Sequence, residues 1–338
     1  MNLTALPEIL KDEPSYRAKQ VNFAIFQQMI ESWDQATNLS KDLREKLKAA
    51  CPLDIPAELK RAADGKTLKA AVRLDDGEVV ETVLMRHRDG RNTVCVSSQA
   101  GCPLKCSFCL TGRGGWRRNL TALEIVSQVL LFARMLKKEE ERVSHVVMMG
   151  MGEPFINFAQ VMAAIRMLNR PDMLGIGARK ISISTVGIVE GIAKLSREPL
   201  QINLALSLHA PDDARREKLI PINRKYPIAK VLAAVADYIE KTRRRVMIEY
   251  LMLKDFNDSP EDAKKLADLL NRSLKRLFFV NLIACSPGGP GEPSSAERIK
   301  AFSAVLEKGR ITVVERFRFG EEIGGACGQL AGARKDVH

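Results

Sequence analysis

From Asn92 onward the chain alternates short apolar runs with longer stretches whose apolar residues recur every three to four positions. The runs are TVCVSS, HVVMMGM, ISISTV, INLALSL, RVMIEYLML, FFVNLIAC and ITVVERF. Between them stand helical patterns such as NFAQVMAAIRML, AKVLAAVADYIEK and EDAKKLADLL. Near-continuous apolar runs are those of strands covered on both faces, as in a parallel sheet. The pattern predicts an α/β fold, a partial TIM-type (β/α)6 barrel, with an open doubly wound sheet as the second choice. Thr121 and Glu124 have the spacing of a capping box and set a helix start.

The first ninety residues read differently. Val21, Ala24, Ile25, Met29 and Ile30 recur at helical intervals, and Ser40 is a candidate N-cap for a second helix carrying Leu43, Leu47 and Ala50. TLKAAVRL and EVVETVLMRH, joined by a DDG turn signal, predict a β-hairpin. The chain thus divides into a helical plus β-hairpin accessory domain over 1–90 and a barrel with a C-terminal cysteine loop over 91–338.

Unusual short motifs cluster after the predicted strands: GCPLKCSFCLTG, GEP, STVG, SLHA and SPGGPG. In α/β barrels that rim is where active sites assemble. The first motif holds Cys102, Cys106 and Cys109, spaced Cys-x3-Cys-x2-Cys. Three thiolates are one fewer than a closed tetrahedral site needs. Iron–sulfur clusters are held by cysteine thiolates, so a trio leaves one iron open for a small molecule. A structural zinc would want a second Cys pair or matched histidines, whereas the four histidines are scattered. Three unrelated core cysteines are the remaining alternative.

Charge changes the picture next. Lys and Arg number 53 against 41 acids, a net +12, which favours a polyanionic partner such as nucleic acid. Basic stretches lie at 86–91 (RHRDGR), 113–118 (RGGWRR) and 241–245 (KTRRR), each of which is equally a solvated face. No apolar run reaches membrane-spanning length, the N-terminus lacks a signal pattern, and seven cysteines at irregular spacing are no secreted disulfide framework. A cytoplasmic protein without membrane contact is expected.

The motifs TVCVSSQAGCPLKCSFCLTG, VVMMGMGEP, ISISTVG, LALSLHAPDD, IPINRKYPI, VNLIACSP and ACGQLAG occur in this order from about Tyr16 to Gly332. Together they resemble the RlmN/Cfr family of radical SAM RNA adenine methyltransferases. The resemblance implies a 4Fe–4S cluster on Cys102, Cys106 and Cys109, and two S-adenosyl-L-methionine (SAM) molecules per turnover. It implies SAM contacts from Gly152, Glu153, Ser184, Ser207, Leu208 and His209. Ser286 stands where the family usually has an Asn that contacts SAM; its reach is shorter. The resemblance further implies that Cys327 carries the methyl group, that Cys95 releases the product, and that Glu81 removes a proton. The implied substrate is 23S rRNA at the peptidyl-transferase centre, with tRNA as a second one. Flavodoxin or ferredoxin is the implied electron donor, and the implied state is a monomer. The implied site of methylation is carbon 2 of adenine, with carbon 8 as the alternative. The rival readings are an RNA-binding protein with a structural metal, and a radical SAM enzyme of another substrate with no use for Cys327.

Overall fold

The structure is a computed structural model that describes residues 1–285, 291–316 and 319–331. Among the described residues twelve strands are found: β1 Ala57–Arg61, β2 Thr67–Arg73, β3 Val79–Arg86, β4 Asn92–Cys95, β5 Gln99–Gly101, β6 Trp116–Asn119, β7 His145–Met148, β8 Ile181–Thr185, β9 Asn203–Ser207, β10 Val246–Met252, β11 Phe278–Ala284 and β12 Val313–Glu315. Ten of them form one sheet in the order β1-β2-β3-β4-β7-β8-β9-β10-β11-β12. From β4 to β12 all pairs are parallel. The order follows the chain without reversing, which is the singly wound path of a barrel and not that of a doubly wound sheet. Six strand–helix units run from β4 to the helix Ala296–Lys308, and β12 ends the sheet. The sheet stays open between its outermost members, β1 and β12.

The apolar runs are buried as their pattern requires. Val146, Ile181, Ile183, Leu204, Leu206, Val246, Ile248 and Val280 are all buried. Helices with one apolar face cover the sheet; Ile125, Val129, Phe132 and Leu136 point inward from Ala122–Lys137. That helix begins with the expected capping box between Thr121 and Glu124, and Ser40 caps Lys41–Ala50 by accepting from Leu43 N.

The hairpin extends the barrel sheet. β3 pairs antiparallel with β4, Val83 opposite Cys95, so one sheet crosses residue 90. The N-terminal helices join the same hydrophobic core through Ile25, Phe26, Trp33, Leu43 and Leu47. The guanidinium of Arg134 locks the junction, donating to the carbonyls of Leu53 at 3.0 Å and Ile30 at 2.5 Å. Two features lack a hydrophobic signature and were not expected. β1 (AELKR) is exposed and exists through its pairing with β2. The RGGWRR stretch contributes β6, which pairs with β5 around the cysteine loop.

Candidate active site

The cysteine loop hangs between β5 and β6. Gly101 has φ +77°, and a Cβ there would sit 1.9 Å from the Gly115 carbonyl oxygen, so only glycine lets the two arms close. Cys102 N donates to that oxygen at 3.0 Å, Ser107 N to Leu219 O at 2.9 Å, and Cys109 N to Cys106 O at 3.1 Å. Cys102, Cys106 and Cys109 consequently line one pocket at the carboxyl ends of the parallel strands. Burial pushes the Cys102 thiol up to about 12 and the Cys106 thiol higher still, with the neighbouring cysteines adding to the effect at both. Such thiols ionise only when a metal centre takes the charge. Among the described residues no three ligand side chains converge on a point fit for a single ion. Three thiols in one pocket are the donor type that iron–sulfur clusters use.

The same pocket is walled by Gly152, Glu153, Ser184, Ser207 and His209, five of the residues expected to meet SAM. Gly152 has φ +98°, and a Cβ there would strike the Gln99 side chain at 2.6 Å. Glu153 is buried; its Oε1 accepts from Phe155 N at 3.1 Å and its Oε2 from Val186 N at 3.0 Å. Burial raises its carboxyl to about 7 against the lowering effect of those donors. Ser184 and Ser207, on neighbouring strands, face each other with hydroxyls 3.2 Å apart. His209 takes a left-handed φ of +59°, accepts from Leu251 N on Nδ1 at 3.0 Å, and meets the Phe108 ring edge-on at 4.9 Å. Burial, helped by Arg216, drives its imidazole down to about 3, so it is neutral. Leu208 departs from expectation: its side chain is wholly buried in the core and forms no part of the pocket wall. It follows the last residue of β9, Ser207, and its backbone N–H donates to Glu249 O at 3.1 Å. Ser286 lies outside the described residues.

A second pocket adjoins the first and shares Cys109, Met149, Gly150, Ile283, Arg316, Cys327 and Gly328 with it. It brings Cys95, at the end of β4, together with Cys327. Burial raises the Cys95 thiol to about 12, with proximity to Cys327 contributing. Cys327 sits on an irregular segment docked onto the cysteine loop: Leu110 N donates to Gly328 O at 2.8 Å and Thr111 Oγ1 to Leu330 O at 2.5 Å. Glu81 is buried but stands apart, lining a pocket on the hairpin with Lys60, Lys69 and Arg73.

Sequence reading missed an ionic group in the floor of these pockets. Glu249 on β10 accepts from Asn281 Nδ2 at 3.2 and 3.1 Å and pairs with Arg316 Nη1 at 3.4 Å. Arg316 Nη2 also lies 3.7 Å from Met149 Sδ. The guanidinium is held charged first by Cys327 and then by Glu249 and Cys95. The available signal was an acid and an amide inside otherwise apolar strands, RVMIEYLML and FFVNLIAC.

The basic stretches behave unequally. In RGGWRR, Arg118 is engaged by Asp76 at 2.5 Å and by Glu124 at 2.8 Å, whereas Trp116 is half exposed. KTRRR precedes β10 and so lies at the amino ends of the strands, away from the site; its Arg245 stacks on Phe279. RHRDGR lines a groove with Lys66 and Phe319, and Phe319 also borders the Cys95–Cys327 pocket.

Comparison with known proteins now bears directly on this arrangement. The radical SAM superfamily model matches residues 96–270, and the ribosomal RNA large subunit methyltransferase N-terminal domain matches residues 3–53. A Chloroflexus aurantiacus protein named as a probable dual-specificity RNA methyltransferase RlmN is 46% identical over 345 aligned positions, spanning 98% of this chain and 91% of its own. The chain belongs to the RlmN family of radical SAM RNA methyltransferases. A Dictyoglomus thermophilum relative of the same name is 45% identical over 320 residues, 94% of this chain and 91% of its own. A crystal structure of a radical SAM methyltransferase from Sphaerobacter thermophilus superposes with a TM-score of 0.90 at 42% identity, covering 98% of this chain and 97% of that one. Membership of the superfamily implies a 4Fe–4S cluster and SAM, and the three-thiol pocket with its polar strand-end wall fits both. Among the described residues no helix is long and apolar enough to cross a membrane.

Proposed function

We propose that this enzyme methylates carbon 2 of an adenosine in the peptidyl-transferase centre of 23S rRNA, and the tRNA adenosine beside the anticodon, through a methyl group carried on Cys327. The observation that carries the reading is the sharing of one pocket by Cys327 and Cys95, next to the three-cysteine pocket. A radical SAM enzyme of another substrate has no use for that thiol pair.

Cys102, Cys106 and Cys109 hold the cluster, and Gly152, Glu153, Ser184, Ser207 and His209 hold SAM beside it. When bound there, the two supply a one-electron cleavage that leaves methionine and a 5′-deoxyadenosyl radical able to accept a hydrogen atom. Adenine carbons are too electron-poor to displace a methyl group from SAM directly. Cys327 supplies the nucleophile instead: its thiolate displaces S-adenosylhomocysteine from a first SAM and gains the methyl group. In the second stage the S-methyl of Cys327 gives up a hydrogen atom and its carbon bonds to the ring. The adduct then loses the ring proton to a base and one electron, for which the oxidised cluster would be the acceptor. Cys95 thiolate attacks the Cys327 sulfur, the sulfur–carbon bond breaks, and its electron pair takes a proton to complete the new methyl group. A Cys95–Cys327 disulfide remains, which two electrons from an external thiol reductant reopen. Arg316 lines the same pocket as both cysteines and offsets part of the rise that burial imposes on the Cys95 thiol.

Flavodoxin or ferredoxin serves as the electron donor to the cluster, and the enzyme works in the cytoplasm as a monomer. Residues 1–90 act as the RNA-binding module of the barrel. The target base is extruded from its stack, a step that costs least where pairing is absent.

The expected outcome for Cys327→Ala is loss of methyl transfer with SAM cleavage retained. Cys95→Ala is expected to accumulate enzyme covalently linked to RNA, seen as a shifted band that RNase shortens. Methylated RNA from the Cys327→Ala enzyme overturns the assignment. Liquid chromatography with mass spectrometry of nucleosides from the wild-type reaction, run against 2-methyladenosine and 8-methyladenosine standards, separates carbon 2 from carbon 8.

A further inference from the structure

The segment bearing Cys327 has little structure of its own. Residues 324–331 contain Gly324, Gly325 and Gly328, with φ of +64° at Gly324 and +81° at Gly328, and form only turns. What fixes a thiol on such a segment must come from outside it. One side rests on the cysteine loop through Gly328 and Leu330. The other side meets a buried ion pair of the β2–β3 hairpin. Lys69 is opposite Val83 and Glu81 opposite Ala71, so the two are diagonal neighbours on one face of the hairpin. Lys69 Nζ lies 2.9 Å from Glu81 Oε1, with each side chain about nine-tenths buried. The pair also bonds to the Cys327 segment. Glu81 Oε2 accepts from Ala331 N at 2.7 Å, and Lys69 Nζ donates to Gly324 O at 3.4 Å. Gly324 and Ala331 bracket Cys327. Glu322 adds a third tie, accepting from Ala63 N at 3.0 Å.

We propose that Lys69 and Glu81 are positioning residues that latch the Cys327 segment at both ends and thereby hold its thiol against Cys95 and the SAM pocket. This deepens the role given to Cys327 above and rests on it. It also assigns Glu81 differently from the proton-removing role that the family resemblance implies. Both of its carboxylate oxygens are engaged, and it lines the hairpin pocket, away from Cys95 and Cys327. The chemistry gives the latch a purpose. Cys327 sulfur must be presented in turn to a methyl donor, to the target base and to Cys95, and effective concentration falls steeply when one partner sits on a free segment.

Neither thiol measurement needs turnover. Cluster-loaded wild type, Glu81→Ala, Glu81→Gln and Lys69→Met are compared in two ways. One is the rate at which iodoacetamide alkylates Cys327, followed by peptide mass spectrometry. The other is the Cys95–Cys327 disulfide content at equilibrium with a glutathione redox buffer. Glu81→Ala and Lys69→Met are expected to raise the alkylation rate and lower the effective concentration of the thiol pair by about tenfold each, the loss of one charge-assisted hydrogen bond. Glu81→Gln, which keeps an acceptor for the Ala331 N–H, is expected to recover most of both. Should Glu81→Ala fail to fold, Ala331→Pro removes the N–H alone and leaves the hairpin intact; the same rise in alkylation is expected. Unchanged alkylation and disulfide equilibrium in the folded variants overturns the proposal, and stalling of both Glu81 variants on an RNA adduct then makes Glu81 a base. Absence of SAM cleavage in the wild type defeats the enzymatic reading instead, and is read independently of either thiol measurement.

Discussion

Each buried polar residue around the site answers to a partner that explains it. Glu153 is kept by two backbone N–H groups, and Glu249 by Asn281 and Arg316. His209 is the case with a pH consequence. Its imidazole, which titrates near 6.5 when exposed, is held at about 3 by burial and Arg216. Between those values the unfolded chain binds a proton that the folded chain does not. Stability from this residue is therefore complete above pH 6.5 and declines as pH falls. About 2 kcal/mol should be lost between pH 6.5 and pH 5 in urea titrations of cluster-free protein. His209→Asn keeps an acceptor and tolerates the left-handed backbone, and it should flatten that acid limb by about one proton. An unchanged slope would mean that the ring is not neutral in the fold. His87 and His145, also lowered by burial, contribute equally in both proteins. At this scale the sequence singles out the cysteines by their spacing and motifs, and the fold brings five of them to two adjoining pockets. The sequence hides Glu249, Asn281 and Arg316, whose joint role exists only after three strands are laid side by side.

At the level of elements, the parallel strands set out the chemistry along their carboxyl ends, and buried side chains tie one strand end to the next. Arg216 is the strongest of these ties. Fully buried, it donates to the carbonyls of Leu208 at 3.1 Å and Ser207 at 3.2 Å, to Val186 O, and to Asn223 Oδ1 at 2.7 Å. Arg216→Met fits the volume but orphans these acceptors. A loss of about 4 kcal/mol is expected in urea unfolding, since each buried unsatisfied acceptor costs about 1–3 kcal/mol. A change below 1 kcal/mol would show that water replaces the guanidinium without penalty. The barrel strands were legible because strands covered on both faces are apolar throughout. β1 and the β5–β6 pair were not, since an exposed strand and a loop-bound ribbon hold together by backbone bonds that leave no hydrophobic trace.

For the whole molecule, the hairpin is where sequence and structure diverge in a useful way. Read alone, it belongs with the N-terminal helices; in the fold it is the antiparallel extension of the barrel sheet. One face of the protein therefore combines strand-end chemistry, the segment carrying Cys327, and the basic groove of Lys66, Arg88 and Arg91 next to Phe319. Charge composition announced a polyanion, but only the topology tells the groove near the site from KTRRR at the far end of the strands. The most direct test of the methyl-cysteine account uses SAM with a trideuterated methyl group and an unlabelled RNA substrate under reducing, air-free conditions. In that account the S-methyl of Cys327 gives up one hydrogen before it bonds to the base, so the adenosine product should carry two deuterium atoms, the third appearing in 5′-deoxyadenosine. A product retaining all three would mean direct transfer of an intact methyl group and would contradict the role given to Cys327.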